Sequence, residues 1–199
     1  MKLHSKVAAA LLTATVAGSA LATGYPDPGT PNATTYTFEA TVTGEIDAYF
    51  LSSSAAYDET IGLEVNGVAT HITGLNNHGT AAGTMLDLGS VTAGDVLTFF
   101  IDVSNTNATW YSDPSKNTDG HSNHIYSTTY AGATFGGNVV PAGTYISFED
   151  LAANAGSDFD YNDTAFSYTN APAVPEPGNM ALLLAGLGLM GFVARRRRG

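Results

Sequence analysis

The sequence predicts an all-β fold, a jelly-roll-like β-sandwich, flanked by an N-terminal signal peptide and a single C-terminal hydrophobic helix. Three observations predict it. Between Thr23 and Asn170, apolar and polar residues alternate with period two in short runs. Those runs are separated by Gly, Asn and Asp turn signals, as in a sandwich. No stretch of that region carries a long helical periodicity. A closed barrel is the architectural alternative. No segment repeats at a fixed period.

Taken in order, Tyr36, Phe38, Ala40 and Val42 alternate with Thr37, Glu39 and Thr41 in a first strand. Ile61, Leu63 and Val65 alternate up to Asn66-Gly67, and Val68 follows. Asn-Gly between apolar alternations signals a hairpin, because a type I′ turn needs positive φ at both central residues. A turn falls within Val91 to Asp95, and Leu97, Phe99, Ile101 and Val103 then share one face of a central strand. Ser104 to Asn123 is the longest irregular stretch and holds Trp110-Tyr111; such stretches in compact domains are commonly functional or mobile. Tyr145, Ser147 and Glu149 alternate with Ile146 and Phe148, and Ala165 to Tyr168 reads as the last strand.

The ends are organised differently. Lys2 and Lys6, the apolar run Val7 to Val16 and Ala20-Leu21-Ala22 form a signal peptide over residues 1–22, with cleavage before Thr23. Residues 23–170 form the acidic β-domain, and 171–179 a Pro-rich linker, APAVPEP followed by Gly178-Asn179. Residues 180–199 hold an apolar stretch, Met180 to Ala194, then Arg195, Arg196, Arg197, Arg198 and Gly199. As a helix the fifteen apolar residues span about 22 Å, short for a membrane span unless the arginines snorkel into the headgroups. Arginines at that end would stay in the cytoplasm, leaving the domain outside. Both ends therefore agree on an exported chain.

Charge separates the ends from the middle. Of eighteen acids, only Glu176 lies outside the domain; of seven Lys and Arg, only Lys116 lies inside it, so the domain carries a formal charge of −16. Such a field excludes nucleic acid and anionic membrane surfaces as partners and admits cations. There is no cysteine, which excludes disulfides and thiolate metal sites.

The acids cluster. Glu149-Asp150 and Asp158, Asp160, Asn162 and Asp163 fall within fifteen positions, with Asp158, Asp160 and Asn162 at i, i+2 and i+4. In an extended or looped chain that spacing turns three oxygen-bearing side chains the same way, as Ca²⁺ with its six to eight oxygen ligands requires. The pattern is not an EF-hand, which would need Gly at Asp163 and Glu at Thr169. Further ligands would come from Glu149, Asp150, Asp163 or loop carbonyls. Spacing alone admits a second reading, in which Asp and Asn side chains cap backbone amides in turns.

Two resemblances add to this. Val174-Pro175-Glu176-Pro177, the short apolar helix and Arg195 to Arg198 resemble the PEP-CTERM sorting signal of Gram-negative bacteria. The resemblance implies recognition by exosortase, tethering in the inner membrane by the C-terminal helix, cleavage near Pro-Glu-Pro, and then a place at the cell surface or in the extracellular space. Phe148-Glu149-Asp150-Leu151, a short loop and Ser157-Asp158-Phe159-Asp160-Tyr161-Asn162-Asp163-Thr164-Ala165-Phe166 resemble the closing signature of a domain of unknown function common in PEP-CTERM and other secreted bacterial proteins. A weaker match runs from Ser54-Ala55-Ala56-Tyr57 through Gly62 to Asn66-Gly67. That resemblance implies a calcium-binding, non-catalytic β-module and carries over Glu149, Asp150, Asp158, Asp160, Asn162 and Asp163 as its functional cluster. Thr164-Ala165 departs from the larger apolar residues usual there.

Other chemistry is less well founded. His121 and His124 have a zinc-pair spacing, but without helical context. Glu149 and Asp163 could face a sugar as a glycosidase pair, yet carboxylates are so numerous that the coincidence carries little weight. No nucleophile elbow, phosphate loop or dinucleotide fingerprint is present. The expectation is an exported, non-enzymatic surface or extracellular-matrix protein with a calcium-stabilised β-domain. The alternative is a polysaccharide-binding module presenting Trp110 and Tyr111 to sugar rings; a secreted hydrolase comes third.

Overall fold

The computed structural model describes residues 24–175. The signal peptide, Glu176, Pro177, the C-terminal hydrophobic segment and Arg195 to Arg198 lie outside the described residues.

Among the described residues thirteen strands follow one another: β1 (Tyr36–Glu39), β2 (Gly44–Ser53), β3 (Glu59–Val65), β4 (Val68–Gly74), β5 (Met85–Val91), β6 (Val96–Val103), β7 (Ala108–Tyr111), β8 (Ile125–Tyr130), β9 (Ala133–Phe135), β10 (Asn138–Val140), β11 (Gly143–Phe148), β12 (Thr164–Tyr168) and β13 (Ala173–Pro175). Among the described residues there is no α-helix, only a 3₁₀ turn at Pro114–Lys116. The described residues are nearly all β, as the period-two alternation predicts.

One antiparallel sheet runs β13-β1-β6-β3-β4, with β7 also on β6; the other runs β5-β2-β12-β11-β8; β9 and β10 form a separate ribbon. In β6, Leu97, Phe99, Ile101 and Val103 are all buried, as their alternation predicts. The strand is central because β3 pairs along its length while β1 and β7 share its other edge in turn. Phe38 and Phe99 of the first sheet pack with Phe166 and Tyr168 of the second in one hydrophobic cluster. The Phe99 and Tyr168 ring centroids are 4.1 Å apart. The two sheets thus share one core.

The β3–β4 hairpin turns at Asn66 and Gly67, with φ of 51° and 79°, the conformation that Asn-Gly favours. Gly62 on β3 faces Phe100 of β6; a Cβ there would meet the Phe100 ring at 2.2 Å, so only glycine lets the ring lie over the strand.

Two expectations need correction. Ser104 to Asn123 is not wholly irregular: it contains β7, paired with β6 from Phe100↔Tyr111 to Val103↔Ala108. The strand is hidden in the sequence because four residues of mixed polarity, Ala108-Thr109-Trp110-Tyr111, are too few to show a period. The second concerns the end of the domain. The sheet continues past Asn170, with Ala171 buried and β13 pairing Thr37↔Val174 and Tyr36↔Pro175. Proline fits there because β13 is an edge strand.

Candidate metal centre

The acidic segment is the loop of the β11–β12 hairpin, whose last pair is Phe148↔Thr164. Glu149 and Asp163 therefore stand at the two feet of one long loop. Thr164 also pairs with Ser53 of β2, and Ser54 N–H donates to Asp163 O at 3.0 Å. The loop is anchored at both ends by sheet hydrogen bonding.

The loop backbone is unusual. Phe159 and Tyr161 both have φ of 52°, a left-handed conformation that is costly for bulky residues. It is held by tertiary contacts. Tyr161 is buried, accepts a hydrogen bond from Asn32 N–H at 2.8 Å and donates to Asn123 O at 3.1 Å. Burial first, then the Glu149 charge, pushes its hydroxyl up to about 12, so it remains a donor. Phe159 O accepts from Gly29 N–H at 3.2 Å.

With these anchors, side-chain oxygens of Glu149, Asp158 and Asp160 all lie within 4.8 Å of one another, with Glu149 buried, Asp160 half-buried and Asp158 exposed. Glu149 Oε1 accepts from Tyr161 N–H at 2.7 Å, and Oε2 accepts from the Ser157 hydroxyl. Burial raises the Glu149 carboxyl above its ordinary value; the Ser157 and Tyr161 donors oppose this, and the charges of Asp158 and Asp160 add to it. Burial and then the Asp158 charge likewise raise Asp160. Three carboxylates this close repel one another, and a cation among them would convert the repulsion into binding.

Asn162 joins the group through Asp160. Its backbone N–H donates to Asp160 Oδ1 at 3.1 Å, and its amide donates to Oδ2. Turn capping and carboxylate gathering therefore coexist at Asp160.

Asp163 and Asp150 do not join that group. Asp163 Oδ2 accepts from Asp150 N–H at 2.8 Å. Asp150 is buried, and its side chain neighbours that of Glu59 at the start of β3 in the other sheet. The six residues that the sequence points to thus divide into an outer set (Glu149, Asp158, Asp160, with Asn162) and an inner pair (Asp150, Asp163).

Glu59 is a residue that the spacing argument does not find. Nothing near Asp58-Glu59-Thr60 marks it, because its acidic neighbours lie far along the chain. Asp119, His124 and Trp110 complete the support. Trp110 Nε1–H donates to Asp150 O at 2.7 Å. Its ring stacks on His124 at 3.9 Å between centroids, 5° from parallel. The His124 ring contacts Glu149 O at 2.9 Å and Asp119 Oδ2 at 3.0 Å. Asp119 also accepts from Ala153 N–H at 2.9 Å. Burial works to raise the Asp119 carboxyl, but the donors from Ala153, His124 and Ser122 outweigh it and hold the group below its ordinary value.

These contacts correct two further readings. Trp110 is only 5 % exposed, so it presents no face to a sugar; its hydrophobic bulk and its one donor serve the acid loop. Tyr111 is half-buried against Phe100, with Lys116 over its ring. His121 and His124 do not form a metal pair, since both His124 nitrogens are committed and His121 is exposed.

Among the described residues, no helix is long and apolar enough to cross a membrane. No curated protein matches the chain, and no solved structure matches it. The match that is found lies at the carboxyl end and agrees with the Val-Pro-Glu-Pro, apolar and arginine pattern there. It marks an exported protein sorted through exosortase. Residues 173–198 carry the PEP-CTERM protein-sorting motif.

Proposed function

We propose that this chain is an exported, non-enzymatic surface or extracellular-matrix protein. Its domain would be a jelly-roll-like β-sandwich that calcium stabilises, and its C-terminal helix would tether it to the inner membrane before exosortase cuts the tail. One observation carries the calcium reading: side-chain oxygens of Glu149, Asp158 and Asp160 gather within 4.8 Å on a loop fixed by Tyr161. Hard oxygen donors from three carboxylates suit Ca²⁺, with waters and loop carbonyls free to complete six to eight ligands. Asn162 would orient Asp160. Ion binding would tie the loop to the β11 and β12 strand ends and offset part of the −16 domain charge.

The test is a calorimetric titration of calcium chloride into the chelator-treated full-length chain in detergent. Wild type should bind calcium saturably, and Asp158→Asn/Asp160→Asn should weaken one class of binding at least tenfold. An isotherm unchanged by the double substitution would end the reading.

A further inference from the structure

We propose that Glu59 and Asp150, with the Thr164 hydroxyl, form a second site for a hard divalent cation of the calcium class, buried between the two sheets, with Asp163 held beside it by the Asp150 N–H. The site does not share a carboxylate with the Glu149–Asp158–Asp160 group. Glu59 opens β3 in the first sheet, while Asp150 follows β11 and Asp163 precedes β12 in the second. An ion here would therefore bind one sheet to the other at the end where the acid loop emerges.

The burial is what points to an ion. Glu59 is 1 % exposed. Among the described residues, neither of its carboxylate oxygens has a hydrogen-bond partner. Thr164, fully buried beside it, also has an unpartnered hydroxyl. Buried polar groups are almost always satisfied, and a buried carboxylate without donors is among the costliest exceptions. The backbone around Glu59 is well served: its N–H donates to Asn77 Oδ1 at 2.9 Å, and Asn77 N–H donates to Glu59 O at 3.2 Å. Asn77 in turn donates to Tyr57 O and Ser53 Oγ. The chain is thus held so that the side chain points inward toward Asp150 and Thr164.

No protein cation offsets the charge. Lys116, the one lysine or arginine of the domain, pairs with Glu64. His124 is committed to Asp119 and Glu149 O. Without an ion, a proton shared between Glu59 and Asp150 must answer the charge. A cation accepts lone pairs from both carboxylates and from the Thr164 hydroxyl. The donors are carboxylate and hydroxyl oxygens only, which suits calcium or magnesium and not a soft metal.

Equilibrium dialysis of the chelator-treated full-length chain in detergent against calcium chloride tests this. Wild type should hold two ions. Glu59→Gln should lose one and keep the ion that Asp158→Asn/Asp160→Asn removes. Wild type holding one ion, sensitive to Asp158 and Asp160 but not to Glu59, would overturn the proposal and leave Glu59 carrying a proton. One ion sensitive to Glu59 alone would support it and sink the outer site instead. Thr164→Val keeps the shape and removes the hydroxyl beside Glu59. Without calcium it should fold as well as wild type, and it should weaken the inner ion about tenfold. Unaltered affinity in that variant would also overturn the proposal, whether or not Glu59→Gln folds.

Discussion

Raising the pH in the presence of chelator should destabilise the folded chain, and Glu59 should dominate the effect above neutrality. Its carboxyl is pushed up to about 9, first by burial, then by Asp150 beside it and by the charge of Asp163. Asp163 is pushed up to about 8, again by burial first; the Asp150 N–H opposes this, and the Asp150, Glu149 and Asp160 charges add to it. An acid whose folded value is raised holds its proton more tightly when folded than when unfolded. Folding stability is therefore fully present below the ordinary carboxylate range and falls as pH rises toward about 9. At about 1.4 kcal/mol per unit, with the Glu59–Asp163 set counted as one coupled system, the loss is on the order of 5 kcal/mol. Most surface carboxylates have finished titrating by about pH 6, so between about pH 7 and 9 the fall comes from the buried acids and from His78, raised by its bonds to Ala55 O and Asp58, and a His78→Gln background removes the latter. Denaturant unfolding of the full-length chain in detergent and chelator, at a series of pH values, reads this directly. Glu59→Gln, a neutral stand-in for the protonated form, should flatten the fall, and calcium should shrink it in wild type by taking the proton's place. Calcium-free stability that stays level or rises over that segment would refute the reasoning.

Three further outcomes are expected. Trp110→Phe keeps an aromatic ring against His124 but leaves Asp150 O without its donor, and should cost about 1–3 kcal/mol in chemical denaturation; a negligible change would mean that Trp110 does not anchor the loop. Asp119→Ala removes the acceptor shared by His124 Nε2, Ala153 N–H and Ser122 N–H. It should cost about 3 kcal/mol and speed amide exchange at Ala153, whereas unchanged exchange would contradict the assigned role. Replacing Arg195, Arg196, Arg197 and Arg198 with glutamine should leave unprocessed, mislocalised chain in cell fractions, and normal sorting would count against the tail as the sorting device.

The fold class was legible because β3, β6 and the Asn66-Gly67 turn obey strict local rules: alternation for a face, positive φ for a tight hairpin. β2 was harder to see, since Tyr49 and the buried Leu51 interrupt the polarity on the face opposite Ile46, Ala48 and Phe50. β7 was too short to show a period. The acid loop was legible as a cluster, because Glu149, Asp158 and Asp160 are close in sequence as well as in space. Its division into an outer and an inner set was not, because the left-handed Phe159 and Tyr161 redirect the chain in a way that simple i, i+2 counting ignores. Glu59, Asp119 and Trp110 reach the loop from other strands and turns, and local spacing carries no record of such contacts. The tail is the opposite case: it is a linear signal, readable residue by residue without a fold.

The most direct test of the calcium reading is a thermal melt of the full-length chain in detergent, with calcium and with chelator, beside Asp158→Asn/Asp160→Asn. An ion that binds only the folded state, at a hundred times its dissociation constant, adds about 2.7 kcal/mol, or about 5–10 °C for a domain of this size. The account predicts that rise in wild type and a clearly smaller one in the variant. A wild-type midpoint that calcium does not move, or a variant that responds as fully as wild type, would contradict it and leave the outer acids as turn caps and surface charge.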